Sequence, residues 1–523
     1  MTASSLTPVR IGSIVLLFST WNITVCVARG WSAWYSGPGR GYDNGHCVAL
    51  DGFGNVLVTG RSPDTSYEYD YGTVKYSSEG EEVWSVRYDH ELLDDVPYAL
   101  AVDAAGNVYV TGESQVYFPS LYRADYATVK YSPEGEELWV ARYDAAHQND
   151  EAYALALDGR GHVYVTGTSN GDILGDGMDS TWYDIATVKY DSDGNELWVA
   201  RAEMHGTERG KALGVDPWGN VIVTGSASLP SDYPIGLTVK YDSLGNELWR
   251  AVFEWMNPPA DLVVDSAGCV YVFGTLAGSY TDFCTVKYDP DGRECWVRTY
   301  NGPGNGWDDP QAMAIDSLAN IYVTGWSTGS STGYDFCTIK YDSAGNEKWV
   351  ARYDSGGETD WPSSIATNGS DVYVVGYSFG KYCVIRYTVD GELLWSALWP
   401  PDSGGGDAID VTVDACGNAY VTGYSIRQES GADYLTSKFE PNGVGLAEGE
   451  RGKRAACPLG GATVLRGPEL ARMECLVVDA LGRDVTERRG RLAPGVYFLK
   501  DEGGRLKGEP GSREAVRKVI VQR

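Results

Sequence analysis

From Trp31 to Gly443, apolar residues fall in short runs, some alternating with polar residues and some continuous, separated by glycine-containing turns. The stretch from Asp103 to Tyr143 shows the pattern in full: DAAGNVYVTG, a loop, then DYATVKYSPEGEELWVARY. Strand-length runs divided by AAGN and SPEGEE predict three β-strands, two of them joined by a tight hairpin. A fourth run, YALAVD at Tyr98–Asp103, leads into them.

The unit recurs. Its first segment ends at Gly60, Gly112, Gly167, Gly225, Gly274, Gly325, Gly376 and Gly423, at intervals of 47 to 58 residues. The TVKY strand returns at Thr73, Thr128, Thr187, Thr238 and Thr285, with variants TIKY, VIRY and TSKF at Thr338, Val384 and Thr436. A tryptophan opens the last strand at Trp84, Trp139, Trp198, Trp249, Trp296, Trp349 and Trp395. A period near 50 residues with four strand-like runs is the signature of propeller blades. Seven such tryptophans follow eight TVKY segments, and the missing strand stands at the other end of the chain. Trp31–Tyr35 (WSAWY) matches Trp139–Tyr143 (WVARY) at Trp, Ala and Tyr. The expectation is an all-β, eight-bladed β-propeller of four-stranded blades over residues 29–443. Its N-terminal strand closes the last blade and leaves no open sheet edge at the seam.

The repeat resembles the bacterial SBBP-type beta-propeller repeat in its D-x-x-G-N-V-Y-V-T-G segment, its D-Y-x-T-V-K-Y strand and its G-N-E-L-W turn. The resemblance spans roughly Trp31 to Gly443 and implies an extracellular propeller scaffold without a defined reaction. That family is usually described as seven-bladed, so the number eight rests on this chain's own count.

In such blades the first and third turns lie on one face of the disc, the second turns and blade-to-blade connections on the other. The DxxGN and xxGNE turns are short and regular, which predicts a rigid, bland face. The second turns vary, with 8 to 20 residues from the landmark glycine to the next TVKY strand. These loops and connections carry Tyr117, Tyr122, Trp182, Trp255, Trp307 and Trp361. Aromatics among aspartates suit a sugar or peptide ligand; the alternative is rings packed over their own blades. Near the start of each innermost strand, His46, Tyr98, Tyr153, Lys211 and Gln311 share one repeat position, expected at the mouth of the central channel. Charges present in most repeats, such as Lys130 and Asp125, read as pairs that build the ring.

The formal charge of −30 is uneven: from Gly445 onward sixteen Lys and Arg face eleven Asp and Glu, whereas the preceding residues hold 26 against 61. Such a surface argues against nucleic acid and favours cations and neutral or basic partners. The glycine-rich loop with Asp172, Asp176 and Asp179 is a candidate Ca²⁺ site. His90, His147 and His205 fall in successive blade connections near Asp95, Asp150 and Glu208, as a metal site or a His/carboxylate acid–base pair would require. Cys284, Cys337 and Cys383 share one repeat position and read as small core residues. The chain has no Ser/His/Asp nucleophile motif, phosphate-cradling loop or redox-cofactor motif.

Arg10, the apolar run Ile11–Phe18 and small residues up to Ala28 predict a secretory signal peptide over residues 1–28. No other run reaches the ~20 apolar residues of a membrane-spanning helix. Residues 444–468 read as a linker and 469–523 as a small Ig-like β-sandwich. The segments VVDALGRDV, LAPGVYFLK and RKVIVQR resemble a type IX secretion sorting domain at Asp479, Gly482, Arg483, Pro494, Gly495, Tyr497 and Lys518. That resemblance implies export through a bacterial outer membrane by a secretion machinery, then attachment to or release from the cell surface. The functional expectation is a secreted or cell-surface scaffold that binds a carbohydrate or protein partner through its variable loop face. The alternative is a propeller polysaccharide hydrolase or lyase using His/carboxylate groups and Ca²⁺.

Overall fold

The computed structural model describes residues 29–39, 41–118, 121–145, 148–170, 182–204, 206–228, 235–254, 256–278, 280–356, 359–399, 405–427 and 431–441. Beyond these it describes four strands, at 463–466, 476–479, 495–500 and 516–522. The predicted signal segment, most of the predicted linker and much of the sorting-like motif lie outside the described residues. The chain divides into two units, Met1–Leu446 and Ala447–Arg523. No helix among the described residues is long and apolar enough to cross a membrane.

The first unit is an eight-bladed propeller of four-stranded antiparallel blades. In the last blade, Arg29–Tyr35 lies beside Gly431–Phe439, with Trp31 opposite Lys438 and Tyr35 opposite Tyr434. The same register places Trp139 opposite Lys130 and Tyr143 opposite Tyr126 in the second blade, so the closure read from WSAWY holds residue for residue. The two-residue strand Gly41–Tyr42 adds a parallel pairing to Gly431–Ala432 at this seam. First strands contact their neighbours all round the ring, Asn44–Leu50 touching both Asp95–Val102 and Gly406–Val413.

The repeated residues join the blades. Leu57 and Tyr71 of the first blade pack against Val108, Val110, Val129 and Tyr131 of the second, and similar mixed cores fill the other junctions. The buried thiols Cys284, Cys337 and Cys383 belong to these cores. Above each core a polar clamp crosses to the next blade. Lys130 Nζ and Trp139 Nε1 both donate to the carbonyl of Ser192, at 2.9 and 3.0 Å. Lys75 and Trp84 do the same to Pro133, and Lys189 and Trp198 to Ser243. At the seam Trp31 donates to Ser78 O at 2.9 Å, the ring-closing copy of that contact. The accepting turn presents a glycine to the indole: a Cβ on Gly194 would lie 2.7 Å from the Trp139 ring, and its φ is +84°. Only glycine meets both conditions without strain.

A second repeated network ties strands within a blade. Arg142 donates to Asp125 at 2.8 Å, to Ser114 Oγ and to Tyr88 of the preceding blade. Arg87–Asp70, Arg201–Asp184 and Arg352–Asp335 repeat the pair. Lys75 and Lys240 also pair with the turn aspartates Asp51 and Asp216, at 3.1 and 2.9 Å. The recurring charges are thus used in construction.

In the second unit the described strands form one four-stranded sheet, ordered Thr463–Arg466, Val516–Gln522, Gly495–Lys500, Leu476–Asp479. Thr463–Arg466 falls inside the stretch read as linker, where the β-branched TVLR run favours a strand.

Candidate functional site at the channel mouth

Every innermost strand carries a β-bulge at the same repeat position, and that of the fifth blade has a second register shift between Met256 and Pro259. The pairing with the second strand skips a residue between Gly45 and Cys47, Pro97 and Ala99, Ala152 and Ala154, Gly210 and Ala212, and again between Pro310 and Ala312. The skipped residues are His46, Tyr98, Tyr153, Lys211 and Gln311, the set that shares one repeat position. The remaining three blades skip Ala260, Ser363 and Ile409. A bulge inserts one unpaired residue and re-aims its side chain. The landmark glycine permits it: a Cβ on Gly167 would lie 1.9 Å from Glu151 O, and one on Gly112 would lie 2.0 Å from Val96 O.

These side chains converge. The His46 ring is nearly parallel to Tyr98 (centroids 6.3 Å apart, 18°), and Tyr98 meets Tyr153 at 5.3 Å. His46 Nδ1 is 2.9 Å from Pro97 O. Tyr98 donates to Glu113 Oε1 at 3.3 Å, and Tyr153 donates to Glu151. Burial, followed by the neighbouring charge of Glu151, pushes Glu113 up to about 7. Burial lowers His46 against the opposing hydrogen bond to Pro97, and the Arg61 guanidinium adds to the lowering, which favours the neutral imidazole. In the eighth blade, which adjoins that of His46, burial raises Asp407 to about 7, and its Oδ1 has no hydrogen-bond partner. Between the third and sixth blades a hollow of about 520 Å³ opens among Tyr153, Arg209, Lys211, Asp309 and Gln311. Gln311 Nε2 donates to Asp309 Oδ2 at 3.2 Å. Aromatic faces, hydroxyls, carboxylates and cations around one hollow can hold a polyhydroxylated or peptidic ligand.

Several of these residues escape sequence reasoning. Glu113, Trp326, Tyr377 and Tyr424 each follow a landmark glycine, and they pair with Val96, Asp309, Trp361 and Asp407 on the innermost strand. The available signal was variability on both sides of an otherwise repeated glycine.

The other predicted residues are dispersed. Trp361, 48% exposed, belongs to this ring and meets Tyr377 at 6.3 Å. Tyr117 and Tyr122 are exposed on an extended hairpin, edge to face at 5.5 Å. Trp307 is exposed and packs edge-on against Tyr280, and Trp182 is exposed. Trp255, His147, His205 and the calcium candidates Asp172, Asp176 and Asp179 lie outside the described residues. Among the described residues, the carboxylate within ion-pair distance of His90 is Glu91, 4.0 Å away. Asp95 and Asp150, read as carboxylates of a metal site or of a His/carboxylate acid–base pair, cap their loops by accepting the amides of His90 and Ala145. Asp70, Asp89 and Asp95 form an acidic triad, as do Asp125, Asp144 and Asp150, with Arg87 and Arg142 already on one member of each. The opposite face also departs from expectation: a hollow of about 640 Å³ lies among Arg160, Asp216, Asp265 and the exposed Trp218.

Comparison with known proteins bears on the blade itself. Residues 138–175 match the SBBP beta-propeller repeat. An uncharacterised WD repeat-containing protein of Acanthamoeba polyphaga mimivirus is 25% identical over 482 residues, covering 74% of this chain and 33% of that protein. The chain thus spans about a third of the length of this curated relative. The crystal structure of Chaetomium thermophilum Sqt1 superposes with a TM-score of 0.51 at 12% identity, covering 79% of this chain and 98% of Sqt1. At that identity the likeness shows the propeller fold alone. A polysaccharide lyase of family PL25, an ulvan lyase, is similar at a TM-score of 0.40 and 11% identity, over 70% of this chain and 96% of the lyase.

Proposed function

We propose that this protein is an exported, non-enzymatic binding scaffold whose carbohydrate or protein partner docks on the loop-bearing face at the channel mouth. The observation that supports this reading is the ring of bulges. The blades repeat one another at their clamps and hairpin turns, yet the eight bulge positions hold His, Tyr, Tyr, Lys, Ala, Gln, Ser and Ile. Ring construction requires no such variety, whereas a ligand with distinct groups around its perimeter does. The signal-like residues 1–28 and the sorting-like tail fit delivery to a bacterial surface or beyond it. A screen of the full chain against glycan and peptide arrays, with and without calcium, tests the proposal. Tyr98→Ala and Tyr153→Ala are expected to abolish binding of any hit, and retention by both variants would move the ligand elsewhere. Calcium dependence of the hit would give the Asp172–Asp179 loop a part in binding.

A catalytic reading has one observation in its favour: His46, Tyr98 and a carboxyl group titrating near 7 at Glu113 stand together at the mouth. Groups titrating near the working pH suit acid–base chemistry. Release of unsaturated or reducing ends from a polysaccharide panel, lost in Tyr98→Phe, would favour this reading over simple binding.

A further inference from the structure

We propose that the hollow between the third and sixth blades is a subsite for an acidic sugar, whose carboxylate is held by Arg209 and Lys211. This rests on the channel mouth being a ligand site and specifies the class of ligand. Before Gly445 the chain carries 61 Asp and Glu against 26 Lys and Arg, so a hollow taken at random on its surface is lined by acid. Here Arg209 and Lys211 stand two positions apart on one strand, both exposed, at the edge of a cavity of about 520 Å³. Neither has a carboxylate within ion-pair distance among the described residues. The nearby half-buried Asp261 is occupied otherwise, accepting the amides of Met313 and Leu262 at 2.9 and 2.8 Å.

The cavity size fits a ligand of one or two rings, since small-molecule sites span roughly 300–1,000 Å³. The Arg209 guanidinium lies over the Tyr183 ring, 5.6 Å from its centroid. That stacking fixes its plane and leaves its N–H fork for a two-point contact with a carboxylate. The rest of the lining argues for a sugar over an acidic peptide. Asp309 and Gln311 face the same hollow; a carboxylate there accepts sugar hydroxyls but repels a second negative charge on the ligand. Tyr153 offers an aromatic face at the edge, against which a sugar ring packs. One anionic group surrounded by hydroxyls describes a hexuronic acid residue.

Calorimetric titration of the full chain with oligomers of galacturonate, glucuronate and guluronate, the methyl ester of the first, a sulfated galactan oligomer, cellohexaose and poly-glutamate tests the assignment. Expected is binding of at least one uronate, weakened about tenfold or more by neutralising the carboxylate, the scale of one lost charge-assisted hydrogen bond. Lys211→Met and Arg209→Gln should each reproduce that loss, with unchanged melting temperature, and Lys211→Arg should retain binding. Raised salt should weaken the uronate and spare any neutral ligand. Binding of the sulfated oligomer alone would overturn the carboxylate assignment. Equal affinity for acid and ester, with both variants silent, would overturn the acidic subsite while leaving the channel-mouth site standing. Poly-glutamate binding with every saccharide inert would overturn the sugar as well, and no binding by any probe overturns the inference outright.

Discussion

Gly167 shows how one missing side chain shapes both scaffold and site. Its Cα faces the strand just before a bulge, and a methyl group there would sit 1.9 Å from the Glu151 carbonyl. Gly167→Ala must therefore push the innermost strand away or flatten the bulge, at a cost of about 1–3 kcal/mol, the range for overpacking that forces backbone shifts. Urea denaturation should show that loss, and it should exceed the cost at Gly219, where φ is +84° but the added methyl meets open space. If the two substitutions cost the same, glycine at the landmark is serving only chain flexibility. At this scale the site was half legible. His46, Tyr98, Tyr153, Lys211 and Gln311 could be aligned because each stands at a fixed distance before the turn aspartate or its equivalent. That they are bulges could not be read, because an inserted residue shows only against the strand it fails to pair with. Glu113 was passed over because it directly follows the glycine used for counting, and Asp309 because only its pairing with Trp326, the residue after Gly325, brings it beside such a position.

Blades show which elements can be exchanged for others. The fourth blade lacks the arginine network, and it lacks all of it together. Val252 stands for Arg142, Ile235 for Asp125 and Ala227 for Ser114, while Ala202 of the preceding blade stands for Tyr88. The replacements Ala202, Ala227 and Ile235 are buried in one apolar cluster. A charge pair largely withdrawn from water can be exchanged for apolar residues at little cost, whereas removing one partner strands the other. Arg142→Val alone is expected to cost about 3 kcal/mol by leaving Asp125 unpaired in a desolvated site. Adding Asp125→Ile should recover a large part of that loss. A double-mutant cycle on thermal or urea unfolding measures the coupling, and additive losses would show that the pair is screened by solvent. The repeat made strand order, blade number and closure legible, because clamp residues such as Trp139 and Lys130 must recur wherever two blades meet. Loop placement was not legible beyond the choice of face, since the second turns share no residue pattern from blade to blade.

Over the whole molecule, many carboxyl groups are buried on the loop-bearing side and at blade junctions, and their protons link the fold to pH. Burial, only partly offset by hydrogen bonds from serines and backbone amides or, at Asp70, by the Arg87 guanidinium, raises Asp43 and Asp70 to about 6 and Asp95 and Asp150 to about 7. Burial and the charge of Asp184 take Glu208 to about 8. Each group holds its proton more tightly folded than unfolded, so between roughly pH 4 and 8 the native state binds more protons. The stability these groups contribute is complete below their unfolded pKa and is lost as pH rises through the folded values. The turn aspartates work in the other direction. Burial raises Asp103, Asp216 and Asp414, but hydrogen bonds from the following asparagine and turn amides outweigh it and hold them below 3.8. Their contribution is lost as pH falls through that lower range. With an acid-sensitive turn face and a base-sensitive loop side, melting temperature should peak near pH 5 and decline steadily toward pH 8. The excess negative charge of the propeller steepens that decline as further carboxyls ionise. Scanning calorimetry of the full chain from pH 4 to 9 in chelator reads this directly. Asp95→Asn keeps an oxygen to cap the His90 amide but cannot ionise, so it should flatten the slope between pH 6 and 8 while matching the parent near pH 5. A melting temperature that rises from pH 5 to 8 in both proteins would mean that solvent or a bound cation keeps these junction carboxylates ionised at no cost to the fold.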